Sequence, residues 1–573
     1  MRPLKIGITG VRGIVGETLT PELVVSFAQA FGTYLDGGRI LVGRDTRSSG
    51  PMVHAAVVSG LLAAGCDVVD LGVCPTPTLQ LAVRDARAQG GISITAGHNP
   101  SNWNALKFVR HDGLYLNATQ AEELLDIVHQ GEFDKATWDV IRTRVEPHDG
   151  IPRHIELLAG AFDVDAIRRR GLRVAVDCCN GAASVLVPRW LETLGCAVLV
   201  INDDVHAPFP HRPEPKPETM AQLKAVVRAG GADIGFAHDA NGERLGLVTP
   251  SGIALSEETT LVLASAIALR ATPGTVVTNI STSRGIEDVA ARFGGTVVRT
   301  PVGQSYVSEA MVEHGAVIGG EGNGGVAVPR LLCSNDAAAA EGLILEHLAR
   351  SDRGLDACIA DLPRYAMVKH DYPVKPSAVY ATLQAYREQI EHEHPDADVA
   401  DGVKVSWPDG WVHVRSSQTE SMIRIIAEAP TAARANDLAE WARDRLGARG
   451  YRVWDSGLGI RDSTRAGGSL VPTYCLLPTA YCLLISHHAN ASNPHSQDLD
   501  FRRARRRRRL ADAVAARALR AGVRHLRRLR HDRRRPRHAD VGRDGAPGGV
   551  RGAALQRLQR SRSRHRADRK SVV

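Results

Sequence analysis

The chain has 573 residues, a formal charge of +8, 43% hydrophobic residues and nine cysteines. That length exceeds what a single core fills and implies several domains of ~100 to 200 residues each. No apolar run approaches the ~18 residues that cross a bilayer, and Met1-Arg-Pro-Leu-Lys-Ile lacks the apolar core of a secretory signal, so a membrane protein is not expected.

The net charge conceals two unlike parts. The first 463 residues hold 44 Lys and Arg against 56 Asp and Glu, whereas residues 464–573 hold 27 Lys and Arg against 7 Asp. The cysteines show no paired spacing, and Cys178 and Cys179 are adjacent. They read as reduced thiols rather than as a disulfide framework or a zinc site, which points to the cytoplasm.

In chain order, Thr20-Pro21-Glu22 opens a helix: a hydroxyl N-cap, a proline at the first position and an acid in the first turn. Three segments then repeat one plan of strand, polar loop, helix, glycine and second strand. They begin at Ile40-Leu-Val, Val174-Ala-Val and Val276-Val, and their second strands are Val68-Val69, Ala197 to Ile201 and Val297-Val298. Gly65, Gly195 and Gly294 stand where each helix ends, since the position after a helix commonly needs a left-handed backbone. Alternating strands and helices predict three similar α/β domains with mixed sheets, over 1–150, 151–255 and 256–370.

From residue 371 the pattern changes. A helix around Val379 to Ile390 precedes Val403-Lys-Val-Ser-Trp407, the turn Pro408-Asp409-Gly410, and Trp411-Val-His-Val-Arg415, a hairpin signal. A strand at Ile423 to Ile426 and a helix over 432–446 complete a smaller α+β domain, 371–450. His392, Glu393 and His394 read as a solvated helix end.

The tail is different in kind. Tyr474-Cys-Leu-Leu-Pro-Thr-Ala480 is followed at once by Tyr481-Cys-Leu-Leu484, and one seven-nucleotide unit, TACTGCC, read three times through successive frames encodes that heptapeptide. Residues after 463 include 26 arginines, one lysine and no glutamate. The tail 464–573 therefore reads as a disordered basic arm or, beyond about Ala480, as an out-of-frame translation. No aromatic side chains interleave the run from Arg502 to Arg509, so nucleic acid is not the expected partner.

Four loops carry the chemistry. The first, Thr95-Ala-Gly97-His98-Asn-Pro with Lys107 beyond it, follows the apolar segment Ile92-Ser-Ile94, at the carboxyl end of a strand where open α/β sheets bind ligands. The second, Asp239-Ala-Asn241-Gly-Glu243-Arg244, alternates oxygen-bearing side chains so that one turn aims several at a hard cation. The third, Gly319-Gly-Glu321-Gly-Asn323-Gly-Gly325, lets backbone approach a ligand closely. In the fourth, Arg415-Ser-Ser417-Gln-Thr419-Glu-Ser421, the arginine offers bidentate bonds to phosphate and the hydroxyls add donors.

In order and spacing these loops, with Gly7-Ile-Thr-Gly-Val-Arg12-Gly and Arg44-Asp-Thr-Arg47, resemble those of the α-D-phosphohexomutases over residues 1 to about 450. The resemblance implies four domains around one cleft and interconversion of hexose 1- and 6-phosphates of glucosamine, glucose or mannose, with a hexose 1,6-bisphosphate as intermediate or activator. It implies Arg12 on the transferring phosphoryl, His98 and Lys107 as acid and base, and Asp239, Asn241 and Glu243 around Mg²⁺. Arg244, Glu321 and Asn323 would bind substrate, with Arg415, Ser417 and Thr419 on the second phosphate. The family's phosphoryl-carrying serine, however, is replaced by Gly97. Asn241 and Glu243 likewise stand where the family has aspartates, which predicts a weakened metal site. Thr95 and Ser101 are the neighbouring hydroxyls, but a misplacement of about 1 Å already costs ~100-fold in rate. Two functions follow: a mutase-like phosphotransferase, or a silent binder of sugar phosphates.

Overall fold

The computed structural model describes residues 4–8, 10–141, 145–417 and 422–447. The expectations for Thr419, Ser421 and the basic tail lie outside the described residues. Among those described, no helix is long and apolar enough to cross a membrane, and Cys66, Cys74, Cys178, Cys179, Cys196, Cys333 and Cys358 are free thiols.

Four sheets build the chain. The first has seven strands, in the order Leu4–Gly7, Gly10–Ile14, Trp103–Arg110, Gly90–Ile94, Arg39–Arg44, Asp67–Val73 and Glu146–Pro147. Its centre is parallel, Arg39–Arg44 pairing with both Gly90–Ile94 and Asp67–Val73, and Trp103–Arg110 and Gly10–Ile14 add antiparallel strands. The second runs Leu245–Val248, Ile234–His238, Arg173–Asp177, Ala197–Ile201, and the third runs Thr296–Thr300, Thr275–Asn279, Ile318–Glu321, Gly325–Ala327. Each joins three parallel strands and closes with one antiparallel hairpin. The fourth sheet is wholly antiparallel and is backed by helices Pro376–Glu393 and Ala432–Gly447. The architecture is thus three α/β units with mixed sheets and a smaller α+β unit.

Local chemistry accounts for the boundaries. Thr20 Oγ1 accepts from Leu23 N at 3.4 Å, with Pro21 opening helix Pro21–Tyr34. Gly65, Gly195 and Gly294 have φ of +84°, +71° and +69° just beyond their helices, which L side chains resist. In the hairpin, Trp407 pairs with Gly410 across Pro408-Asp409 alone, so Gly410 starts the returning strand instead of belonging to the turn. A Cβ there would lie 2.5 Å from Glu428 O, so glycine is required by crowding.

The cores show which parts move together. Leu79, Leu158, Trp190, Phe236, Leu261 and Ile344 belong to one buried cluster that runs through the first three units. The fourth unit has its own, around Tyr386, Ile390, Val414 and Leu438. Polar contacts join it to the third. Lys404 Nζ donates to Ile280 O at 2.7 Å, Arg284 N to Glu428 Oε1 at 2.9 Å, and Val302 N to Asp401 Oδ2 at 2.9 Å.

Lys404 makes this contact sensitive to pH. Its amine lies over the Trp411 ring, and burial, with Arg299 nearby, pushes its pKa down to about 7 from an ordinary 10.5. Between those values the unfolded chain keeps a proton that the folded chain has released, so this residue makes stability rise with pH. Lys404→Met retains the stem against Trp411 and is expected to remove about 1–2 kcal/mol of the rise between about pH 7 and pH 9. Urea unfolding followed by tryptophan fluorescence checks it; an equal rise in parent and variant would contradict the assignment.

Candidate active site

The loop that carries Gly97 is held by a buried arginine. Arg47 Nη2 donates to Gly97 O at 2.6 Å and Asn99 O at 2.8 Å, and Nη1 to Pro100 O at 2.6 Å and Trp103 O at 3.2 Å. Its Nε bonds Asp45 Oδ2 at 3.0 Å, with both side chains fully buried. Thr95 Oγ1 donates to the same Asp45 oxygen at 2.6 Å and accepts from Gly97 N at 2.9 Å. Thr95 is 0% exposed and committed at both ends. Ser101 is exposed, outside the cleft wall. Neither hydroxyl stands where the missing serine oxygen would be.

Gly97 itself has φ +53°, and a Cβ there would lie 3.4 Å from Asn241 Oδ1 and 3.7 Å from Asp239 Oδ2. Residue 97 therefore points at the Asp239 to Arg244 loop, which follows strand Ile234–His238. Cations gather around it. Arg12 sits on strand Gly10–Ile14 and Lys107 on strand Trp103–Arg110. Burial, then Arg244, lowers the pKa of Arg12. Burial, followed by the charges of Arg244, Arg12, Lys107 and Lys216, holds the His98 imidazole well below its usual value, so the ring is neutral at pH 7. Two guanidiniums that oppose each other's charge beside two ammoniums form a site for an anion with several oxygens.

The metal-loop residues meet but divide their roles. Asp239 Oδ1 accepts from Glu243 N at 2.9 Å and Arg244 N at 3.2 Å. Asn241 Nδ2 donates to Thr76 Oγ1 at 2.8 Å and Glu243 Oε2 at 2.7 Å, which turns its oxygen towards Gly97. Among the described residues that buried oxygen has no hydrogen-bond partner. Glu243, expected as a further metal oxygen, instead accepts from Lys107 Nζ, Tyr115 OH and Asn241 Nδ2. Its extra methylene carries the carboxylate to these donors. Burial alone would raise its pKa, but Lys107, Tyr115 and Asn241 hold it below the usual carboxylate value. Two oxygens, Asp239 Oδ2 and Asn241 Oδ1, remain open towards residue 97, with one formal charge between them. That set does not fit the multi-carboxylate magnesium loop that the sequence resembles.

At the opposite end, strand Ile318–Glu321 delivers Glu321, whose Oε1 accepts from Asn279 Nδ2 at 2.8 Å. Asn323 Oδ1 accepts from Gly325 N at 3.0 Å. From the fourth unit, Arg415 bonds Asp401 Oδ2 at 3.1 Å, and its buried Nε has no partner among the described residues. Ser417 N donates to Met422 O at 2.9 Å. Arg12, Gly97, His98, Lys107, Asp239, Glu243, Arg244, Glu321, Asn323, Arg415 and Ser417 line one cleft of about 480 Å³, in the range of small-ligand sites. Asn241 lies just behind that wall, against Gly97.

Residues not singled out from sequence complete it. Tyr115 bridges to Glu243, and Ser281 lines the cleft while bonding His413 Nδ1 at 2.8 Å. His413 Nε2 faces Asp401 O at 2.5 Å. A carbonyl only accepts, so Nε2 carries the proton and Nδ1 receives the Ser281 hydroxyl. Burial pushes this ring down to about 4. The one sequence signal was alternation: His413 shares a face of strand Gly410–Ser416 with Arg415.

One cleft lined with cationic side chains thus lies among three α/β units and a smaller α+β unit. The chain belongs to the phosphoglucomutase/phosphomannomutase family: domain I matches over residues 3–135, domain II over 152–252, domain III over 256–365 and the C-terminal domain over 372–445. It is 38% identical over 436 residues to a probable phosphoglucosamine mutase of Methanopyrus kandleri, covering 76% of this chain and 96% of the relative. A phosphoglucomutase/phosphomannomutase of Thermococcus kodakarensis is 37% identical over 441 residues, with the same coverage. Among solved structures, a phosphoglucomutase/phosphomannomutase family protein of Burkholderia thailandensis superposes with a TM-score of 0.69 at 27% identity, covering 78% of this chain and 98% of that one.

Removing the Arg47 guanidinium takes this donor from the Gly97, Asn99 and Trp103 carbonyls, leaves Pro100 O with Trp103 N alone, and strips Asp45 of its counter-charge. Arg47→Met is expected to cost the loop about 3 kcal/mol and speed amide exchange over residues 95–103 by ~100-fold. Hydrogen exchange read by mass spectrometry checks it, and unchanged protection would contradict the clamp.

Proposed function

We propose that the cleft binds a hexose phosphorylated at both ends and that this chain holds the phosphoryl groups without carrying one on residue 97. One phosphate sits among Arg12, His98, Lys107 and Arg244. The other lies against Arg415 and Ser417, and Glu321 and Asn323 take sugar hydroxyls. The names of the relatives support glucosamine, glucose or mannose as the sugar. The observation that carries the reading is Gly97 within an otherwise furnished site: its hydroxyl is missing, Thr95 is locked, and Ser101 faces away.

The electrostatics favour a doubly phosphorylated ligand. In a phosphoserine mutase, the resident phosphoryl group neutralises the cations at this end before substrate arrives. With glycine there, the ligand must bring that charge itself. Arg12 and Arg244 orient the phosphate oxygens. Neutral His98 supplies one donor and one acceptor, and Lys107, anchored by Glu243, supplies a fixed positive charge. A mutase cycle through residue 97 has no acceptor atom.

Calorimetric titration and a coupled mutase assay test this together. Glucose 1,6-bisphosphate is expected to bind at least ~10-fold more tightly than glucose 1-phosphate, since charge-assisted hydrogen bonds contribute ~1.5–3 kcal/mol each. Arg415→Ala is expected to weaken the bisphosphate by ~10- to 100-fold. Interconversion of glucose 1- and 6-phosphate should appear in Gly97→Ser and not in the native protein, even though serine at a left-handed φ costs about 1–2 kcal/mol. Native turnover equal to that of Gly97→Ser would overturn the proposal.

A further inference from the structure

We infer that Glu243 is committed to the Lys107 ammonium instead of to a divalent cation, so that this cleft takes its phosphorylated ligand without magnesium. The inference rests on the sugar-phosphate reading above and specifies how one end of that site is charged.

Three departures converge on one small volume. Gly97 presents no side-chain oxygen to an ion at that place, and Asn241 contributes an uncharged oxygen. Glu243 has left the ion for the protein: its two oxygens are occupied by an ammonium, a phenol and an amide. The phenol remains a donor, because burial and then the Glu243 charge keep the Tyr115 pKa well above its ordinary value. Asp239 spends Oδ1 on two backbone amides. Among the described residues no group of three or more His, Cys, Asp or Glu is placed to hold a metal.

Recruiting Glu243 to a cation would carry a double penalty. Three hydrogen bonds to a carboxylate that is 6% exposed would break, each of them strengthened by its charge. The freed Lys107 ammonium would then face the incoming dication across a few ångströms of protein, with a carboxylate no longer between them. Mg²⁺ also demands near-octahedral oxygens at ~2.0–2.1 Å, and the loop offers two. With Glu243 left in place, Lys107 is held at the cleft wall with its side chain 17% exposed, within reach of a bound ligand's phosphoryl oxygen. The longer arm of Glu243, together with Tyr115, thus converts a metal loop into a holder for an organic cation.

Direct metal binding and ligand affinity are measured separately. Mn²⁺ uptake by the native protein is followed by electron paramagnetic resonance, and glucose 1,6-bisphosphate is titrated calorimetrically in EDTA and in about 5 mM Mg²⁺. The inference expects no Mn²⁺ site tighter than about 1 mM and less than about 2-fold change in ligand affinity between the two buffers. Asn241→Asp combined with Glu243→Asp shortens the arm and adds charge, and is expected to create Mn²⁺ binding at least ~10-fold tighter than native. A native Mn²⁺ site below about 100 µM, or ligand binding ~10-fold tighter with Mg²⁺, would overturn it. Absence of ligand binding in both buffers would instead sink the sugar-phosphate reading, and the Mn²⁺ measurement would still decide the metal question.

Discussion

The site depends on one buried guanidinium. Arg47 gathers the Gly97, Asn99 and Pro100 carbonyls of a connection between strands together with that of Trp103, the first residue of the next strand, and Asp45 balances its charge while orienting Thr95. Buried backbone carbonyls need donors, and a strand-to-strand connection at the carboxyl edge of a sheet offers none from a ladder. By supplying them from one planar group, Arg47 fixes the direction in which residue 97 faces. Everything that converges on that residue is placed relative to this clamp: the open oxygens of Asp239 and Asn241, the neutral ring of His98, and the ammonium of Lys107.

The second constraint is electrostatic. Arg12, Arg244, Lys107 and Lys216 are close enough to depress the proton affinity of His98 together with burial. Keeping such a cluster costs stability unless an anion answers it. Glu214 bonds Lys216 at 3.1 Å and approaches Arg244 at 3.7 Å, and Glu243 answers Lys107. The space in front of Gly97 opens onto the cleft. The polar seam between the third and fourth units brings Arg415 into the wall of the same cleft.

Much of this was legible in the sequence because it is local. The Thr20 cap, the glycines at 65, 195 and 294, the alternation of strands and helices, and the order of the four loops each depend on neighbours within a few residues. Of the loop residues expected to share a site, those that are described line or abut one cleft. What was not legible depends on pairs far apart in the chain. Lys107 meets Glu243 across 136 positions, and Tyr115 meets it across 128. Glutamate in place of aspartate reads in sequence as one extra methylene; only the fold shows that the methylene delivers the carboxylate to other partners. Likewise Thr95 looked like a spare hydroxyl until its two hydrogen bonds were in view. Ser281 and His413 carry no motif, and their pairing arises from the contact of two separate sheets.

The central claim is that the phosphoryl group is held and not exchanged with the protein. Intact-mass measurement of the native chain after incubation with glucose 1,6-bisphosphate, followed by acid- and base-stability mapping of any adduct, addresses it most directly. The account predicts no covalent phosphoryl on native protein and an adduct at residue 97 in Gly97→Ser. A stoichiometric phosphoryl adduct on the native chain, at whatever residue, would contradict it.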